Sequence, residues 1–222
     1  LTEFGRINQT HPHTWDFVDQ PLVSGLMFGA DGMRSVGARL SWLMPISFYS
    51  EFILGVENAN GVTMTSFGSV PDEPQFGRPI LPDVVKSLGD MVYVPRWDTS
   101  FDIGDDQTMV VGASGAFGPN GTGPGANTEV GGVDVLWKWK SPRADKGFPF
   151  VKIQSEWMLR NYDAAATATL PAAVYRDHGA YAQVVWGIKP MWTVGLRLDN
   201  TGGDVGDDPL DPRCQPHQRA SL

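Results

Sequence analysis

Apolar and polar side chains alternate one by one along much of this chain, and every tryptophan except Trp15 falls on the apolar phase. Residues 130–140 are the clearest case: Val133, Val135, Trp137 and Trp139 alternate with Gly132, Asp134, Leu136, Lys138 and Lys140. A period of two marks a strand whose faces meet different surroundings. It predicts strands at 37–44, 48–57, 91–103, 107–117, 130–140, 150–162, 178–189 and 192–199, with a further short one near 2–7. Pro95 lacks a ladder donor, so it implies a bulge or a later strand start. A short helical turn fits within 81–88.

The polarity of these strands is unusual. A soluble sheet turns its rings inward, whereas here whole tryptophans near strand ends oppose Arg, Lys, Asp, Glu and many glycines. That pattern suits lipid on one side and a wet lumen on the other. The connections also alternate: tight turns near 45–46, 104–106, 141–147 and 190–191, and long polar stretches at 58–90, 118–127 and 164–177. Membrane barrels segregate loop lengths in this way, and strands of about 8 to 13 residues match a tilted span. The fold expected is all-β: an antiparallel up-and-down transmembrane β-barrel over residues 1–203, incomplete, with a polar, unstructured tail at 204–222. Neither a leader segment nor a terminal aromatic strand is visible, so the chain reads as an internal fragment.

Composition narrows the alternatives. Gly 26 and Pro 17 among 222 residues favour many short strands. Mean hydropathy is −0.19, and no long apolar run makes a membrane helix. A net charge of −8 argues against nucleic acid as a partner. The single cysteine, Cys214, forms no intrachain disulfide.

A channel needs lumen charges rather than a catalytic set. By phase, the lumen-lining candidates are Arg39, Glu51, Arg96, Asp98, Asp102, Asp134, Lys138, Lys152, Glu156, Arg160, Lys189, Arg197 and Asp199. Cations and anions nearly balance, and Asp134 or Lys138 is expected to pair with Glu156 or Lys152 across the ladder. The lipid-facing aromatic girdle is assigned to Trp42, Trp97, Trp137, Trp139 and Trp192 near the short-turn end; Trp157 and Trp186 sit deeper and fit it less well. His11 and His13 project to one side of an extended segment beside Asp16 and Asp19, a candidate metal pair without a defined third ligand. Gly25 to Gly32 lacks the lysine and helix of a phosphate loop. Ser155 and His178 are read as out of phase, so no nucleophile–base dyad is expected, and neither an enzyme nor a cofactor.

Several segments resemble a family of Gram-negative outer-membrane porin-like barrels, some labelled zinc-regulated or TonB-dependent. They are Gly5-Arg-Ile-Asn-Gln-Thr-His-Pro-His-Thr-Trp-Asp-Phe-Val-Asp-Gln-Pro-Leu-Val23, Gly37-Ala-Arg-Leu-Ser-Trp-Leu-Met-Pro45, Val111-Gly-Ala-Ser-Gly-Ala-Phe-Gly-Pro-Asn120, Gly132-Val-Asp-Val-Leu-Trp-Lys-Trp-Lys140 and Gly147-Phe-Pro-Phe150. The likeness runs from Gly5 to Gly203; the tail from Asp211 departs from it. It implies a location in the bacterial outer membrane, a signal region, further C-terminal strands, and passive diffusion of small hydrophilic solutes. Partners would be outer-membrane lipid or lipopolysaccharide, the solutes and the barrel-assembly machinery, with a homo-oligomer left open. Two other readings stand beside it. One is an uptake receptor for a metal or metal complex. The other is a soluble β-sandwich binding domain, in which Trp137, Trp139 and Trp186 would be buried.

Overall fold

The computed structural model describes residues 2–68, 74–81, 85–205 and 217–221. It is a single antiparallel sheet in which each strand pairs with the next in sequence. The strands are β1 (Gly37–Leu43), β2 (Ser50–Asn58), β3 (Met91–Ile103), β4 (Gln107–Pro119), β5 (Asn127–Asp145), β6 (Phe148–Ala164), β7 (Ala173–Lys189), β8 (Trp192–Val205) and β9 (His217–Ser221). The sheet is open: β1 and β9 are its edges, and among the described residues no pairing joins them.

The alternating pattern placed β1 to β8 correctly, but the long strands exceed the expected bounds. Residues 141–145 extend β5, so the β5–β6 turn shrinks to 146–147, and β7 begins at Ala173 rather than 178. No strand forms at residues 2–7. Within the expected tail, residues 217–221 pair with β8, while 206–216 lie outside the described residues. The helical turn expected within 81–88 falls partly on 82–84, also outside them; a single 3-10 turn forms at Leu88–Asp90. Pro95 causes no register shift. Tyr93 pairs with Phe117 and Arg96 with Ser114 on the same offset, and the residue opposite Pro95 is Gly115. The bare Gly115 leaves room for the Phe117 ring, which a Cβ there would approach to 2.5 Å, while the Pro95 ring would be in ordinary contact at 3.4 Å.

Burial follows the alternation in the inverted sense. Arg96, Asp134 and Glu156 are only 1–2% exposed, whereas Trp42, Trp186 and Trp192 are 51–62% exposed. The apolar face therefore points outward and the polar face is covered. Two segments cover it. The first is 2–33, with its helix α1 (Leu22–Phe28); the second is 59–68 from the β2–β3 connection. The α1 residues Val23, Met27 and Phe28 share one face at helical spacing, and the helix stops at Gly29, whose φ of 77° suits glycine. With Phe4, Met33, Met64 and Phe67 they form an apolar core against Val94, Val130 and Met158 of the sheet.

The glycines of the polar face are where this core seats. Cβ atoms built on Gly132, Gly179 and Gly195 would lie 3.2 Å from Phe4, 2.8 Å from Val23 and 3.0 Å from Phe17. Each glycine is a recess filled by a side chain of the N-terminal segment, so dispersion contacts replace what would be voids. At the loop end, Arg78 ties the β2–β3 connection to the β6–β7 one. It donates to Ala165 O (2.7 Å), Pro171 O (2.5 Å) and Tyr175 Oη (2.8 Å), and Phe76 stacks on the Tyr175 ring at 4.1 Å.

Candidate functional site

The polar face gathers the candidate charges, but not as the expected cross-strand pairs. The β5–β6 register sets Asp134 opposite Glu156 and Lys138 opposite Lys152. Like charges directly opposite one another repel, so each pair needs a counterion from elsewhere. Asp134 receives it from two arginines. Arg96 Nη1 on β3 donates to Asp134 Oδ2 at 2.7 Å, and Arg6 Nε donates to Asp134 Oδ1 at 2.7 Å. Arg6 Nη2 also reaches Asp98 Oδ1 at 2.5 Å. Gly112 lies between Asp98 and Asp134 in the same row; a Cβ there would sit 2.5 Å from Arg96 Nη2 and 2.6 Å from Asp134 Oδ2. A bare backbone on β4 is thus what lets Arg96 reach across it.

Glu156 is held without a cation. Its Oε1 accepts from the backbone N–H of Ile7 (2.8 Å) and from Tyr181 Oη (2.6 Å), and Gln154 Nε2 donates to that hydroxyl at 2.5 Å. Lys152 pairs with Asp16 at 2.5 Å, and Gln183 donates to the same carboxylate at 3.0 Å. Arg197 donates to Asp199 (2.9 Å), Asp19 Oδ1 (2.7 Å) and Asp19 O (2.8 Å), and its guanidinium lies 5.0 Å from the Phe17 ring centroid. Arg160 pairs with Asp177 and donates to Ser66 Oγ at 2.7 Å. The network joins sheet to covering segments at nearly every charged position. Buried charges need such partners, because an isolated one loses its hydration uncompensated.

The remaining candidates are peripheral. Arg39 donates to Glu3 at 2.8 Å and approaches Glu51 at 3.6 Å on the exposed edge. The Tyr49 hydroxyl in the first turn donates to Glu51 at 2.6 Å, and that bond raises its pKa to about 12. Asp102 accepts from Thr108 at 3.1 Å and Lys189 lies 5.5 Å from the Trp192 ring, both exposed.

On the outer face, Trp97 Nε1 donates to Ser50 (2.8 Å), Trp137 Nε1 to Gln107 (3.1 Å) and Trp139 Nε1 to Asp106 (2.7 Å). The indole donors thus point to polar groups at or near the short-turn end, while the rings stay on the apolar surface. Trp186 belongs to this rim after all, because Trp139 pairs with Val151 and Val151 with Trp186. Toward the loops the apolar rows end at Glu129, Asn161 and Arg176, which pair in sequence across β5, β6 and β7. From Gly131 to Trp139 the apolar band spans about 26 Å along the strand, or about 20 Å along an axis tilted by roughly 40°.

His11 and His13 flank Pro12 in a 3-10 turn (Pro12–Thr14), not an extended segment. Their rings stack at 5.5 Å in the open, while Asp16 and Asp19 are engaged by Lys152 and Arg197. Among the described residues, no group of three or more His, Cys, Asp or Glu could hold a metal. Ser155 and His178 share the outer face, so distance rather than phase separates them: Ser155 pairs with Ala182, His178 with Leu159, and Ser155 Oγ donates to Tyr181 O at 2.8 Å. Alternation could not disclose Arg6, Asp16 and Asp19, because the segment that carries them has no period. Gln183 and Tyr181 did lie on a readable phase.

Between the N-terminal segment and β5–β6 lies a cavity of about 300 Å³, lined by Arg6, Thr10, Asp16, Lys138, Lys152 and Gln154 among others.

No protein-family model matches the chain, and no solved structure matches it. An uncharacterised protein from Aquifex aeolicus is 30% identical over 217 residues, which cover 89% of this chain. The chain spans 42% of that relative's length.

Proposed function

We propose that this chain is part of an outer-membrane β-barrel that passes small hydrophilic solutes by diffusion, with segments 2–33 and 59–68 forming a constriction on the lumen side. The observation that carries the reading is the inverted burial of β3–β8. Arg96, Asp134, Glu156, Arg160, Arg197 and Asp199 of their charged phase are enclosed while Val133, Val135, Trp157, Val184, Leu196 and Leu198 stand exposed on one continuous face. In water so large an apolar face is a liability, whereas in lipid it is the favourable side. The tryptophan rim at the short turns and the polar row Glu129–Asn161–Arg176 at the loop end give the band two borders.

The sandwich alternative loses support. The described strands form one sheet without a second layer, and Trp186 is exposed. The metal-uptake alternative gains nothing from His11 and His13 as placed. The family likeness to porin-like barrels agrees with the proposal and forms part of it. The chain spans less than half of its relative, so closure of the barrel, its pore and its solutes belong to the proposal. The test is solute release from liposomes reconstituted with the detergent-extracted protein. Small sugars should leave at rates proportional to protein added, while large dextrans stay. Retention of the sugars would refute the channel.

A further inference from the structure

We propose that the cavity between the N-terminal segment and strands β5 and β6 is a subsite for a small carboxylate-bearing solute, held by the ammonium groups of Lys138 and Lys152. The inference rests on the channel reading and adds to it a substrate class.

Lys138 and Lys152 face each other directly across the β5–β6 ladder, so their charges add at one point of the cavity wall. A single carboxylate, Asp16, serves that pair. It lies 2.5 Å from Lys152 and accepts a further bond from Gln183 at 3.0 Å. Lys138 makes no hydrogen bond or ion pair among the described residues and keeps all three ammonium donors. Its other ladder neighbour is Thr108, whose hydroxyl is already directed to Asp102 at 3.1 Å. Asp102 stands two strands from Lys138 and forms no ion pair with it; its carboxylate is turned to Thr108. Arg6, the third cation of the lining, is neutralised by Asp98 and Asp134. At the Lys138–Lys152 pair itself two ammonium groups therefore face one carboxylate, Asp16, while Glu156 lies deeper and is bonded to Ile7 N and Tyr181.

Size and neighbours define the ligand further. About 300 Å³ sits at the lower end of small-molecule pockets and holds roughly ten waters' worth of volume. A halide leaves most of it empty; a short organic acid fills it. The apolar wall of Leu136 and Trp15 offers contact for a carbon chain, while the two ammoniums meet the carboxylate. Binding of this kind is weak enough for the solute to leave, as passage requires.

The test uses detergent-extracted protein in planar bilayers and in titration calorimetry, with succinate as probe and chloride as the small-anion control. Under a potassium succinate gradient the wild-type protein should prefer the anion. Lys138→Gln should lower the anion-to-cation permeability ratio roughly fivefold, the factor that about 1 kcal/mol of screened attraction corresponds to. Lys138→Arg should keep the ratio, and Asp16→Asn should raise it. Calorimetry should show succinate binding that Lys138→Gln weakens and equimolar chloride does not displace. An open pore whose selectivity ignores Lys138→Gln and Lys152→Gln would overturn the subsite and leave the channel standing. Succinate binding by wild-type protein that conducts nothing would do the reverse. Displacement by chloride would overturn the carboxylate assignment.

Discussion

The two faces of β6 are built from the same backbone and share almost nothing else. On one side Lys152, Gln154, Glu156 and Arg160 are covered, and each is hydrogen-bonded to a neighbouring strand or a covering segment. On the other, Ile153, Trp157 and Leu159 are exposed with nothing over them. In a soluble sheet the second face would be the core and the first the surface. The comparison teaches that burial here follows the charges. The side that excludes water through protein contacts is the polar one, and the apolar side is left for another solvent.

The inner face should break hardest when a charge loses its partner. Asp134→Ala leaves Arg6 and Arg96 to share the single carboxylate of Asp98, and it should cost about 3–5 kcal/mol in urea unfolding of the vesicle-embedded protein. A second break targets the outer face. Val135 lies mid-band, in the row that runs through Ser155, Ala182 and Leu198. Val135→Arg should cost about 2–4 kcal/mol in the same assay, whereas Glu129→Arg, exposed on the outer face at the band's border, should cost about 0–1 kcal/mol.

The two faces were legible to different depths. Alternation placed nearly every outward tryptophan and most inward charges, because a period of two survives any register; Asp177 escaped it because residues 173–177 read as loop. The partners of those charges were not legible. The turn pairs Asp145 with Phe148, yet Lys140 pairs with Phe150, so five steps on β5 match two on β6. That offset decides that Asp134 meets Glu156 and Lys138 meets Lys152, and it has no local signature. The covering segment was still less visible. Phe4, Arg6, Asp16 and Phe17 follow no period, and residues 2–7 read as a strand until the recesses at Gly132, Gly179 and Gly195 are seen to receive their neighbours. The glycines themselves were a clue: a bare polar face in a sheet needs something to fill it.

Filling one recess sharpens the comparison. Gly132→Val meets Phe4 at a position where a Cβ already comes within 3.2 Å. It should cost about 1–3 kcal/mol and free segment 2–33 for limited proteolysis, while the outer face keeps its lipid contacts. The smallest effect is expected at the sheet edge. Arg39, which pairs with Glu3 while half-exposed, should change stability by no more than about 0–1 kcal/mol as Arg39→Ala, and raised salt should remove even that.

The most direct measurement is tryptophan fluorescence of the reconstituted protein in bilayers whose acyl chains carry bromine. If the outer face meets lipid, the bromines should quench most of the emission, leaving a residue from Trp15, which packs in the interior and donates to Thr10 at 3.1 Å. Emission unchanged by bromolipid but quenched by aqueous iodide would place the tryptophans in water and contradict the account.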